Sequence, residues 1–548
     1  MQKVTLKICI IGCIFLACSC AKKVLEENPV SLATADSYYT TPKGIEDGLK
    51  AAYTKLRDFY GREQAFFMTE PGTDIFTNGF GGVTNSPELN DYSANLLGTN
   101  SFITYVWDNL YIGINQCNTV INRAKNVVGM SDKDKMRVEG EARVLRALYY
   151  FHLVQQYGDV HLTLQETVGV VTTANKTPAA KIYQDVIVPD LKFAIDNLPP
   201  TTSDYGRATK PAAEGLLARV QLTLGNWADA EKLADNVIKN YNYKLVKPYG
   251  ALWDIDKQIN SEVIWSVQYT NNPVTNGQGN RAHAFYVFAY DLNPTMERTI
   301  LSGVPHNRFM PTNYLIKLFN VDNDARWEGS FQTVWFATKA GKINGNDVKP
   351  GDTSIKVVPY PVPDQLQATA RYWYIDFNDN WVGKIPAASF EIGGNSRRYW
   401  PVLRKHLDPL RSSANALDGT RDQPILRLAE MYLIAAEAAW KLGKSGIAAD
   451  YMNVLRTRAA KAGREAQMQV NGSDINLDFI LDERARELMG EMHRWYDLKR
   501  TGTLLARVKK YNLDAAPNIK ELHLVRPIPQ TQIDRVTNPG DFTQNPGY

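Results

Sequence analysis

Residues 206–238 read GRATKPAAEGLLARVQLTLGNWADAEKLADNVI, and this stretch decides the fold. Thr209 is placed to cap a helix, and Pro211 sits in its first turn, where a missing N–H costs nothing. That helix is expected to run to Leu224. Gly225-Asn226 then turns the chain. A second helix follows, with Trp227, Ala230, Leu233, Ala234, Val237 and Ile238 on one face. Two helices joined by so tight a turn form an antiparallel hairpin.

The alanines at the helix contact, with Gly225 and Trp227 at the turn, make the unit tetratricopeptide-like. The same design returns far along the chain. PILRLAEMYLIAAEAAWKLG (424–443) and SGIAADYMNVLRTRAAKAG (445–463) are two helices around a glycine-bearing turn. FILDERARELMGEMHRWYDLKR (479–500) is expected to be a further, charged helix. Earlier, Ile45, Leu49, Ala52, Tyr53 and Leu56 share a helical face, as do Trp107, Leu110, Tyr111, Ile114 and Cys117. Ser131 with Asp134 forms a cap ahead of EGEARVLRALYYFHLVQQYG (139–158), where Glu139 and Arg143 are spaced as an ion pair. Residues 181–198 are a shorter amphipathic helix.

Between these blocks the helical signal fades. Residues 71–100 are rich in Gly, Asn, Thr and Pro, which predicts a long irregular segment. From about 245 to 423 loops dominate, and SEVIWSVQYT (261–270) alternates like a strand. The expected fold is mainly α. A tetratricopeptide-like helical-hairpin scaffold comes from 34–240 and 424–505. An irregular, loop-rich lobe with a few short strands is inserted between them, and an extended tail spans 506–548. Hairpins of this kind cannot bury their faces alone, so the distant halves should stack into one body, 34–548.

The N-terminus carries Lys3 and Lys7, then ICIIGCIFLACSC, then AKK. A basic region, a short apolar core and small residues describe an export signal. The apolar run is shorter than the ~20 residues that span a bilayer. Four of the five cysteines lie in the first twenty residues, and only Cys117 lies elsewhere, which leaves the body without disulfides. No His follows at zinc-ligand spacing. The pattern is similar to a bacterial lipoprotein signal cleaved before a lipidated cysteine, with Cys18 and Cys20 as the two candidates. The formal net charge is +4, and losing Lys3 and Lys7 leaves about +2, so nothing marks a nucleic-acid binder.

Catalytic signatures are weak. Glu483, Glu487 and Glu491 recur every four residues, but Arg484, Arg486 and Arg494 interleave with them, as in an ion-pair ladder. Arg427, Glu430 and Glu437 stand in a strongly apolar helix and need partners, for which Arg456 and Arg458 are expected. GQGNRA (277–282) follows a loop instead of a strand, and GKS (443–445) lacks the earlier glycine of a phosphate loop. No G-x-S-x-G elbow is present. No catalytic residue, metal ligand or cofactor is therefore expected. What remains is binding. Sugars present apolar C–H faces to aromatic rings and hydroxyls to Asn, Asp and Arg. The 71–100 loop supplies Asp74, Asn78, Phe80 and Tyr92 for such a role.

Several segments, in order, resemble the SusD/RagB-like family of surface glycan-binding lipoproteins. They are WDNLYIGINQCNTVI (107–121), EARVLRALYYFHLVQQYGDVHL (141–162), the opening stretch, ILRLAEMYLIAAEAAWKLG (425–443), NVLRTRAA (453–460), DERARELMGEMHRWYDLKRTG (482–502), PIP (527–529) and QNPGY (544–548). The resemblance implies four tetratricopeptide-like units and an outer-membrane, lipid-anchored, cell-surface location. It also implies a non-enzymatic glycan-capturing role beside a TonB-dependent, SusC-like porin. The spacing of Val24-Leu25-Glu26 and Pro29 implies lipid on Cys20, with 1–19 as signal and 20–33 as tether. Family ligand contacts come from the loop before Trp107, its neighbourhood and the irregular lobe. That implies Asp74, Asn78, Phe80, Tyr92, Trp107, Tyr286, Tyr290, Trp335, Trp373 and Trp381 as ligand contacts. A peptide-binding scaffold and a surface glycosidase are the competing readings.

Overall fold

The computed structural model describes residues 35–79, 86–376 and 399–548. Cys20, Phe80 and Trp381 lie outside the described residues. Eight helices form the scaffold: α1 (Pro42–Thr54), α2 (Ser101–Ala124), α3 (Asp132–Tyr157), α4 (Val188–Asn197), α5 (Lys210–Leu224), α6 (Trp227–Asn240), α7 (Leu428–Lys441) and α8 (Ser445–Ala459). Each packs on the next in this order, so they make four hairpins, α1/α2, α3/α4, α5/α6 and α7/α8. The contact of α6 with α7 joins stretches almost two hundred residues apart in sequence. The architecture is mainly α and tetratricopeptide-like.

Local chemistry fixes the helix ends. The Asn100 side chain accepts from the Phe102 and Ile103 N–H groups at the start of α2, and Ser131 accepts from Asp134 N–H at the start of α3. Thr209 holds the N-cap position of α5 but makes no side-chain cap bond; Pro211 in the first turn does that helix's starting work. Gly225 and Gly443, each at φ +77°, turn the α5/α6 and α7/α8 hairpins in a conformation other residues adopt at a cost. Small side chains set the spacing: a Cβ on Gly215 of α5 would stand 3.3 Å from the Met431 sulfur on α7. Glu139 and Arg143 form the expected pair at 2.6 Å.

The charged segment 479–500 is broken where one helix was expected. It forms α9 (Leu477–Leu488) and α10 (Arg494–Arg500), because Gly490 (φ +75°) and Met492 (φ +65°) leave the helical region. A Cβ at 490 would meet Leu403 at 2.5 Å, so the break lets a lobe segment pack against the chain. Among the described residues no helix is long and apolar enough to cross a membrane.

The lobe contributes short strands: β1 (Phe76–Asn78), β2 (Val263–Val267), β3 (Phe309–Pro311), β4 (Val334–Phe336), β5 (Thr353–Val358), β6 (Trp373–Asp376) and β7 (Gln423–Arg427). β1 pairs with β3, β2 with β7, and β5 lies between β4 and β6. All five residues of β2 are buried, not alternately exposed, since β2 and β7 lie under covering layers on both faces. The Trp265 indole N–H donates to Gly206 O at 2.9 Å, tying β2 to the loop before α5.

A buried ion network seals the lobe to the scaffold. Arg427 donates to Glu262 (2.9 Å), Glu487 (2.7 Å) and Glu491 (2.7 Å). Arg326 reaches Asp324, Glu483 and Glu487, Arg458 reaches Glu262 and Glu487, and Lys405 reaches Glu491. The ladder of Glu483, Glu487 and Glu491 is thus built mainly with cations from other elements; of the interleaved arginines, only Arg486 pairs within it. Glu430 and Glu437 bind Arg219 and Arg500, not Arg456 and Arg458 as expected, because those two turn toward Glu483, Glu487 and Glu262. Burial alone raises the Glu491 pKa; Arg427 and Lys405 outweigh it and lower it from 4.5 to about 2. Glu483 and Glu487 are likewise held below the usual range by their arginines, against burial. Groups with depressed folded values stabilise the protein above their unfolded pKa and lose that effect as pH falls through the folded one. The urea midpoint should therefore hold above about pH 5 and fall steeply from there toward about pH 2. Urea titrations at stepped pH measure it; a flat midpoint down to pH 3 contradicts the network's role.

Candidate functional site

The residues proposed from sequence as ligand contacts are almost all internal. Asp74 accepts from Arg494 (2.7 and 2.6 Å) and Arg507 (2.8 Å), so it is a fully buried ion-pair centre. Asn78 is buried on β1. Tyr92 donates its hydroxyl to Gly72 O at 2.8 Å, and Tyr290 donates to Gly303 O at 3.0 Å. Trp107 packs edge-on to Tyr157, Tyr286 stacks on His406 with centroids 5.3 Å apart, Trp335 lies against Phe288, and Trp373 lies against Tyr399. These eight side chains are buried and offer no ring face or polar edge to a ligand. Large aromatics fill a core as readily as they fill a site, and their hydroxyls here are spent on or enclosed with neighbouring groups.

The strands that hold Trp335 and Trp373 turn other rings outward. In the β4–β5–β6 sheet, Ile355 stands opposite both Trp335 and Trp373, and all three point inward. Side chains alternate along strands. The next residues across the three strands, Val334, Lys356 and Tyr374, therefore share the outer face in one cross-strand row. Phe336, two residues from Val334, is on that face and is 59 % exposed. Tyr372, just before β6, joins it: its hydroxyl and that of Tyr374 are 2.7 Å apart, with ring centroids at 4.8 Å and planes at 58°. The hydrogen bond to Tyr372 is the main cause that lifts the Tyr374 phenol above its usual pKa.

The outer row spans three strands, about 10 Å. It presents phenyl and phenol faces for C–H stacking, and phenol and ammonium groups for hydroxyls. Leaving Phe336 59 % exposed forgoes part of the about 1.5–3 kcal/mol that full burial would bring. A rigid sheet fixes these groups better than a loop would. Sequence reading missed Phe336, Tyr372 and Tyr374; the signal was the pairing of adjacent aromatics, WF at 335–336 and YWY at 372–374, in which alternation must send one kind outward.

Other concavities are built differently. Two adjoining clefts of 330 and 350 Å³ share Lys50, Asp204 and Arg207, and Arg207 is already engaged with Glu46, Glu141 and Asp204. A shallower cleft of 610 Å³ runs beside α7 and α8, with Tyr243, Tyr432 and Asn453 in its wall. Among the described residues no group of three His, Cys, Asp or Glu side chains is placed to hold a metal ion.

Two family models match the chain: the SusD family over residues 261–548, and a model described as starch-binding associating with outer membrane over residues 49–222. SusD-like protein P25 of Formosa agariphila is 26% identical, covering 98% of this chain and 99% of its own. Starch-binding protein SusD of Bacteroides thetaiotaomicron is 25% identical over 81% of this chain and 78% of its own. Among solved structures, a SusD homolog from Bacteroides thetaiotaomicron superposes with a TM-score of 0.73 at 21% identity, covering 94% of this chain and 98% of that one. Surface glycan-binding protein A from Bacteroides thetaiotaomicron in complex with laminarihexaose gives 0.69 at 20% identity, covering 92% and 99%.

Proposed function

The chain belongs to the SusD family, and on that premise we propose that it is a non-enzymatic glycan-capturing subunit of the cell surface, binding oligo- or polysaccharide through the outer face of the β4–β5–β6 sheet. The observation that carries this reading is the set of outward rings Phe336, Tyr372 and Tyr374 beside Lys356. The name of the related starch-binding SusD supports a carbohydrate as the ligand class. The carboxylates best spaced for hydrolysis, Glu483, Glu487 and Glu491, are buried and saturated with cations, which supports binding without cleavage.

In this reading the captured glycan passes to a TonB-dependent, SusC-like porin, whose own partners supply the energy. The chain is held at the outer membrane by lipid on Cys20, with 20–33 as tether. Isothermal titration against a panel of polysaccharides and oligosaccharides, starch and laminarin included, tests the ligand class. Binding to peptides and to no carbohydrate would replace the glycan reading with peptide uptake. Palmitate labelling tests the anchor: label kept in Cys18→Ala and lost in Cys20→Ala is expected, and the reverse pattern refutes the choice of cysteine.

A further inference from the structure

The outer row of the β4–β5–β6 sheet has a charge at its centre. Lys356 stands on the middle strand, between Val334 and Tyr374. It is half-buried, yet among the described residues no carboxylate lies within ion-pair distance of its ammonium and no side chain accepts a hydrogen bond from it. Lys342, in the same lobe, holds Asp347 at 2.6 Å. Taking an ammonium partly out of water without a partner costs free energy.

The carboxylates of this part of the lobe are turned elsewhere. Asp376, the next residue on the outer face of β6, is buried and accepts from Val362 N–H at 2.8 Å. Asp347 is taken by Lys342, and Asp352 accepts from Lys349 N–H at 2.9 Å. The row, with Phe336 and Tyr372 beside it, therefore carries an ammonium and phenols but no carboxylate or amide. Sugar hydroxyls both donate and accept, so a site built for them alone sets acceptor oxygens beside its donors. Here the strong donor stands without that counterpart.

The charge also lies where a stacked sugar would meet it. Neighbouring strands are about 4.8 Å apart, so a ring lying on Tyr374 brings its own substituents, or those of the next ring, over Lys356. The two side chains already sense each other: the Tyr372 hydrogen bond raises the Tyr374 phenol pKa, and the Lys356 charge opposes that rise. The phenol proton left over from the Tyr372–Tyr374 bond is a second donor at the same place.

We propose that the glycan taken by this face is acidic, and that Lys356 selects it by pairing with a carboxylate or sulfate on the chain while Phe336 and Tyr374 stack its rings. This rests on the reading of the sheet's outer face as the glycan site. Charge-assisted hydrogen bonds of this kind are the strong ones, and a partly dry sheet surface screens them less than open water does.

Isothermal titration with starch and laminarin as neutral probes, and with polygalacturonate and sulfated laminarin as acidic ones, tests it. One of the acidic polymers should bind best, polygalacturonate pointing to a carboxylate and sulfated laminarin to a sulfate. Lys356→Gln should weaken that ligand about 10- to 100-fold, and Lys356→Arg should largely restore it. Lys342→Gln, which removes a lysine already paired, should leave affinity unchanged. A neutral polymer as the best ligand, or an acidic one held equally by wild type and Lys356→Gln, overturns the acid preference. The glycan site itself survives that result if Phe336→Ala/Tyr372→Ala/Tyr374→Ala still abolishes binding. Binding of no polymer by the wild type overturns both.

Discussion

Replacing Arg427 with Met should destabilise the protein by about 3–5 kcal/mol, the cost of leaving buried carboxylates without their cation. Arg427 is 2 % exposed, caps the start of α7 from the end of β7, and serves Glu262, Glu487 and Glu491 at once. Met fills much of the same volume, so the loss is electrostatic and not a cavity. Neither Arg458 nor Lys405 can take over, since each already holds its own share of the same carboxylates. The effect should shrink in acid, where the glutamates protonate and the unpaired charge disappears. Urea unfolding at pH 7 measures it. A change below about 1 kcal/mol would mean that solvent or repacking replaces the guanidinium, and the network would not be the seal between lobe and scaffold.

The scaffold was legible because its signals are local. Pro211 in a first turn, Gly225 in the left-handed region and alanines at the helix contact each act within a few residues. The charge network was legible only as a need for partners. Which cation meets which carboxylate depends on how β7, α8 and α9 come together, and Arg456 and Arg458 turned to Glu483, Glu487 and Glu262. The break at Gly490 was hidden because 479–500 has a helical charge pattern, while the reason for the break is Leu403 from the lobe. The site was the least legible part. Composition identified an aromatic lobe, but exposure is set by strand register, and one step in register exchanges Trp335 for Phe336 and Trp373 for Tyr374. The 71–100 segment reads as an open loop, yet Asp74, Asn78, Asn90 and Tyr92 are buried, with Asp74, Asn90 and Tyr92 bonded inside it or to the scaffold.

That register makes a sharp prediction about the ligand. Tyr374→Ala should weaken glycan binding by about 2 kcal/mol, roughly 30-fold, as expected for an aromatic that anchors a binding face. Tyr374 stands at the β6 end of the row, with Lys356 beside it on the central strand and Tyr372 bonded to its hydroxyl. Phe336→Ala and Tyr372→Ala should each cost less, and the three together should remove measurable binding. Stability should barely move, because Phe336 is largely in water and the tyrosines are partly so. Trp373→Phe, which shortens a buried ring on the opposite face, should do the reverse: it should lower stability and leave affinity nearly intact. The most direct measurement is isothermal titration of the wild type and the Phe336→Ala/Tyr372→Ala/Tyr374→Ala variant against whichever glycan of the panel binds best. The account predicts binding by the first and none by the second, with unfolding midpoints alike. Equal affinities in the two proteins would contradict it.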